Sequence, residues 1–200
     1  MHKVFTAIFV ALFLAGCAVS KQLKMDAQSP SLKGKTMAVQ VRKPSKLRTI
    51  MVGESLLQPG VIPAMIIHAA SEDVARKYAV SNPANQIAND LAQRLRSRYG
   101  VIRTSNAKKA DLLLDVHNYH WEIRHHPVLW TRYAPYMNVS AKLVDKRTGK
   151  TLAAGHCIQM TAKTPHRSLD DLLARNAALL KRDIRTLAKK CAQEISRQMF

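Results

Sequence analysis

Three cysteines and a knot of histidines and aromatic residues are the parts of this chain whose types could do chemistry. The cysteines stand at Cys17, Cys157 and Cys191. A cysteine can attack a carbonyl as thiolate, hold a metal, close a disulfide or carry a lipid, and compartment and neighbours decide which. His117, His120, His125 and His126 gather beside Tyr119, Trp121 and Trp130. On a strand, residues three apart point to opposite faces, so His117 and His120 would not share one ion as a helical i, i+3 pair does. Neither a metal site nor a cofactor is therefore expected. From Trp121 to Tyr136 rings alternate with arginines, and Arg124, Trp130, Arg132 and Tyr133 form a candidate binding set. Such a set suits stacking on sugar rings and headgroups, or burial in a protein partner. The competing reading has Trp121 completing the core and the other rings bracing a hairpin. The sequence holds no Gly-rich phosphate loop, Gly-x-Ser-x-Gly elbow or metalloprotease helix, and no catalytic residue is assigned.

The elements that must position these groups follow from periodicity. Met37, Val39 and Val41 alternate with less apolar residues, which predicts a strand over 36–41, and a second short β stretch is expected over 49–52. Gly53 to Pro63 reads as a loop and 64–78 as helical, either throughout or as a shorter helix capped by Ser71-Glu72-Asp73. Asn82-Pro83 opens a helix in which Ile87, Leu91, Leu95 and Tyr99 recur every four residues until Gly100 stops it. Strands are expected over 111–123, 133–145 and 151–161. The turn Asp145-Lys146-Arg147-Thr148-Gly149-Lys150 suits a left-handed Gly149 and a bulge. That register sets Val144 opposite Leu152 and puts Cys157 on one face with Val139, Ala141 and Leu143.

Ser168, with Asp171 three residues on, caps a helix expected to run to about Gln198. Leu169, Leu173, Ala177, Leu180, Ile184, Leu187, Cys191 and Ile195 make one unbroken apolar stripe along it. Helix and sheet bury these faces together, which brings Cys157 to Cys191 and predicts a disulfide worth ~4 kcal/mol on the chain-entropy argument. The element order gives an α+β class: a single, mainly antiparallel sheet with helices packed on a face and a long C-terminal helix.

The start of the chain carries an address. A basic start (His2, Lys3) precedes an apolar run from Val4 to Ala15, shorter than the roughly 20 residues that span a bilayer, and then Leu14-Ala15-Gly16-Cys17. These four residues resemble the lipobox of bacterial lipoproteins. The resemblance implies a signal peptide over 1–16, cleavage before Cys17, diacylation of its thiol and acylation of the new amino terminus. Residues 17–35 are polar and read as a lipidated tether, and 36–200 as a single periplasmic domain. Ala18, where an Asp would retain such a protein in the inner membrane, favours the periplasmic face of the outer membrane. The precursor carries +19, and losing Lys3 on cleavage leaves +18, a field that attracts lipid phosphates, acidic wall polymers and acidic proteins. Nucleic acid is an unlikely partner in that compartment.

Two further resemblances bear on function. Gly155-His156-Cys157 resembles the Ser-His-Gly-Cys signature of L,D-transpeptidases, but in the wrong order and inside a predicted strand, which disfavours a thiol cell-wall enzyme. Asn82-Pro83, Ala110-Asp111-Leu112-Leu113-Leu114 and Asp145 to Leu152 resemble, as an outline over 36–198, small periplasmic lipoproteins of the curli-secretion and penicillin-binding-protein activator type. The expected function is that of a non-enzymatic accessory or binding subunit in envelope maintenance, cell-wall synthesis or secretion. The alternative is a binding module for anionic glycan or lipid. Oligomeric state is left open.

Overall fold

The computed structural model describes residues 24–25, 32–42, 47–50, 74–125, 132–160 and 167–200. Cys17 and its signal segment, the 53–63 loop, most of the 64–78 helix and Trp130 lie outside them. The elements run β1 (Thr36–Val41), β2 (Arg48–Ile50), α1 (Pro83–Tyr99), β3 (Ile102–Arg103), β4 (Leu112–His125), β5 (Tyr133–Asp145), β6 (Thr151–Met160) and α2 (Leu169–Met199). They form one sheet in the order β3-β1-β4-β5-β6, with β2 also on β4. The long ladders β4–β5 and β5–β6 are antiparallel, whereas β1 and β2 join β4 in parallel, so the sheet is mixed along one edge. The class is α+β.

Helices α1 and α2 cover one face of the sheet. Asn82 caps α1 by accepting from the Ala84 N–H at 2.8 Å, and Gly100 ends it with φ 67°, a left-handed conformation that a Cβ would disfavour. Ile87, Leu91 and Leu95 are buried against Met37, Leu112, Leu114 and Val116 from the sheet. Ser168 caps α2 through the Asp171 N–H at 3.1 Å.

The expected long C-terminal helix is present as Leu169–Met199, but it is interrupted near its start. Arg175, Asn176 and Ala177 all have positive φ, following a non-helical Ala174, so the helix bends there. Only Asn tolerates that conformation readily. The bend turns Leu172 inward, fully buried, in place of Leu169 and Leu173, which are only partly buried.

At the β5–β6 turn Asp145 and Lys150 pair directly, with the Asp145 N–H donating to Lys150 O at 2.9 Å and Gly149 left-handed at φ 69°. Val144 then pairs with Thr151, not Leu152, and the extra residue is Leu152 itself, because the four-residue loop already absorbs the turn. The face assignment beyond the bulge is unaffected: Cys157 pairs with Val139, Ala141 with Gly155 and Leu143 with Ala153. Cys157 and Cys191 are joined in a disulfide, their Cα atoms 5.4 Å apart and 34 residues distant in sequence, and both are fully buried.

The outer edge of β6 is met by α2. Gln198 accepts from the His156 N–H at 2.8 Å and donates to the His156 carbonyl at 2.9 Å, while Glu194 accepts from Gln159 at 2.8 Å. The segment read as a tether also docks in part. Met25 and Leu32 are buried, and the Met25 N–H donates to Met199 O at 2.9 Å at the end of α2. These apolar residues interrupt an otherwise polar run, and each fills a place at the margin of the core.

Candidate binding face

The sheet face turned away from α1 and α2 carries most of the residues that can bind. Its geometry depends on a bulge in β4. Asn118 pairs with Val139 and His120 with Asn138, so Tyr119 has no partner across the ladder. The insertion reverses the parity of everything after it. His117, opposite Ser140, and His120, opposite Asn138, therefore share a face, contrary to the expectation from simple alternation. Asn118 itself is buried, and its side-chain amide nitrogen, in the orientation that satisfies it, donates to the carbonyls of His120 (2.9 Å) and Asn138 (3.2 Å). Backbone groups freed by the bulge are thus satisfied locally.

On this face the His117 and Tyr119 rings lie 4.0 Å apart, and Ser140 donates to the Tyr119 phenol oxygen at 3.2 Å. The His156 Nε2 and Asn138 Oδ1 are 2.7 Å apart. Arg42 makes a two-nitrogen contact with Asp115, at 3.0 Å from Nε and 2.6 Å from Nη2. The hydrogen bond and charge of Asp115 hold the Arg42 guanidinium more firmly protonated than usual. Tyr119 is 42% and Ile158 54% exposed, large apolar surfaces left open to contact. Ring faces beside hydroxyl and amide groups suit stacking and hydrogen bonding to a partner or a sugar. Among the described residues no three His, Cys, Asp or Glu side chains come together to hold a metal.

The expected set of Arg124, Trp130, Arg132 and Tyr133 does not assemble as one site. Arg124 donates to Glu122 at 2.6 Å and lies 3.6 Å above the Tyr136 ring, so its charge answers a carboxylate that is only 4% exposed. Arg124 pairs with Ala134 and shares its face, whereas Tyr133, one residue earlier, points to the opposite side and packs against the core. Tyr133 is further held by backbone bonds to Arg167 at 2.7 and 3.3 Å. Arg132 is exposed just before β5, and Trp130 lies outside the described residues. Cys157 has its sulfur in the disulfide, which leaves no thiolate to act as nucleophile.

Comparison with solved structures finds chains of partial similarity. The PelC dodecamer from Paraburkholderia phytofirmans is similar at 12% identity and TM-score 0.40, covering 90% of this chain and 96% of that one. Protein XCC0632 from Xanthomonas campestris is similar at 10% identity and TM-score 0.41, covering 84% and 87%. Lipoprotein GNA1162 from Neisseria meningitidis is similar at 17% identity and TM-score 0.26, covering 78% and 99%. No family model matches the chain, and no curated protein matches it.

Tyr119 and Arg42 were missed by sequence reasoning. Nothing in Asn118-Tyr119-His120 signals a bulge, because no glycine marks it, and the Arg42–Asp115 pair spans 73 residues.

Proposed function

We propose that the protein is a bacterial lipoprotein held by acyl groups on Cys17 at the periplasmic face of the outer membrane, serving as a non-enzymatic accessory or binding subunit of an envelope process. The observation that carries this reading is the buried Cys157–Cys191 disulfide in a chain whose third cysteine closes Leu14-Ala15-Gly16-Cys17. Structural disulfides belong to exported proteins, and two or three acyl chains anchor where one does not. The folded domain offers its partner the open sheet face around Tyr119 and Ile158, where exposed apolar surface stands beside hydrogen-bonding groups.

The test has two arms. Palmitate labelling, with Cys17→Ala as control, reads the anchor, and an unlabelled wild-type protein removes it. Crosslinking in envelopes followed by recovery of the lipidated protein reads the subunit role. A recurrent envelope protein lost on Tyr119→Ala supports the proposed face. Recovery of cell-wall fragments or lipopolysaccharide alone, released by salt, replaces the subunit reading with that of an anionic glycan or lipid binder.

A further inference from the structure

We infer that the outer surface of the helix layer is a docking surface for anionic lipid headgroups, laid against the same membrane that holds the anchor. The inference rests on the lipoprotein reading for its geometry and on a charge segregation for its chemistry. On α1 the exposed charged residues are Arg94, Arg96 and Arg98; on α2 beyond the bend they are Arg182, Arg185, Lys189, Lys190 and Arg197. No carboxylate among the described residues of these two stretches is exposed. Asp183 is 5% exposed and turned to Arg182 at 3.3 Å, Glu194 accepts from Gln159, and Asp90 is half-buried.

Of the other described carboxylates, Asp111 is used on Thr36, Asp115 on Arg42, Glu122 on Arg124, and Asp145 on Thr148 and Lys35, while Asp170 and Asp171 are exposed on the first turn of α2, ahead of the bend. The exposed cations of α1 and of α2 beyond the bend thus stand with no exposed carboxylate among them. The helices lie side by side and run in the same direction, Gln86 reaching Arg185 O at 3.5 Å and the Tyr99 ring standing tilted 5.5 Å from that of Phe200. Their cations accordingly belong to one two-helix layer.

The leash fixes which surface meets the membrane. Met25 is buried at the C-terminal end of α2, its N–H on Met199 O. Seven residues lie between it and Cys17, eight Cα-to-Cα steps that reach at most roughly 29 Å at about 3.6 Å each. An acylated Cys17 therefore keeps that end of the helix layer near the headgroups, at high effective concentration. A polybasic surface so held completes the pairing of acyl chain and basic patch that peripheral proteins use.

The experiment is a lysine acetylation footprint of the full chain purified from membranes, on vesicles of phosphatidylcholine alone or with phosphatidylglycerol, read by mass spectrometry. Lys189 and Lys190 are expected to be protected on the anionic vesicles, Lys142 and Lys150 are not, and ~1 M salt removes the difference because the Debye length falls to about 3 Å. The triple variant Arg182→Glu, Arg185→Glu, Lys189→Glu is expected to lose about tenfold or more in protection of Lys190. Equal modification of both lysine pairs on both vesicles, or protection of Lys142 and Lys150 instead, overturns the assignment. The mass of the N-terminal peptide from the same sample reads lipidation separately. An unlipidated chain still protected at Lys189 and Lys190 sinks the anchor and keeps the surface, and a lipidated chain with no protection does the reverse.

Discussion

Gly155 lies directly beneath Ile195. A Cβ built on Gly155 would stand 3.0 Å from both the Ile195 Cγ2 and its carbonyl oxygen, and 3.2 Å from its Cα. Only a residue without a side chain lets α2 come this close to β6. Two of the three contacts are backbone, which cannot turn aside. Gly155→Ala is expected to lower stability by about 1–3 kcal/mol, seen as a lower urea midpoint with unchanged slope. An unchanged midpoint would mean that α2 shifts freely on the sheet.

The disulfide sits one turn further back along the same helix–strand contact. Reduction, or the double variant Cys157→Ala, Cys191→Ala, is expected to lower stability by ~4 kcal/mol, the chain-entropy figure for a loop of 34 residues. Urea unfolding with and without reductant measures it. A loss below ~1 kcal/mol would show that packing alone holds α2 to β6.

Acid should weaken the domain through two aspartates. Thr36, by its N–H and hydroxyl, holds the Asp111 carboxyl below the usual range, and the Thr148 N–H does the same for Asp145. Because both pKa values are lower in the folded than the unfolded chain, their contribution is complete above the unfolded value of ~3.9 and is lost as pH falls through the depressed folded values. The urea midpoint is expected to hold steady near neutrality and drop below about pH 4. Asp145→Asn should start lower at neutral pH and fall less steeply.

Arg124 is expected to matter for folding before binding. Arg124→Met leaves the buried Glu122 carboxylate without its partner, and should cost ~1–3 kcal/mol. Adding Glu122→Gln should restore part of that loss. If Arg124→Met instead leaves stability unchanged and abolishes binding to anionic vesicles, the ion pair is not what holds this arginine.

The bend in α2 predicts a gain. Arg175 is exposed and has φ 51°, a conformation costing a non-glycine residue about 1–2 kcal/mol. Arg175→Gly should therefore raise the melting temperature, whereas a straight helix at this point would make the same change destabilising.

Much of this fold was legible where one physical signal decided it. Asn82-Pro83 and Gly100 bound α1 because capping and left-handed geometry are local, and the Cys157 face followed from counting residues through a turn. The bulges at Tyr119 and Leu152 were not legible, since neither carries a glycine and each is fixed by the neighbouring strand. The same holds for the α2 bend, where Arg175 and Ala177 adopt a conformation their own propensities oppose. Spacing did not assemble the expected binding set either, because Arg124 and Tyr133 fall on opposite faces and proximity in sequence carries no face information across a turn.

Gln198 gives the sheet an end. Its amide offers His156 the same donor and acceptor that another strand would, at 2.8 and 2.9 Å. A second chain trying to zip onto β6 meets that bond already made, Gln159 already held by Glu194, and a helix in its path, so this edge is closed to strand pairing.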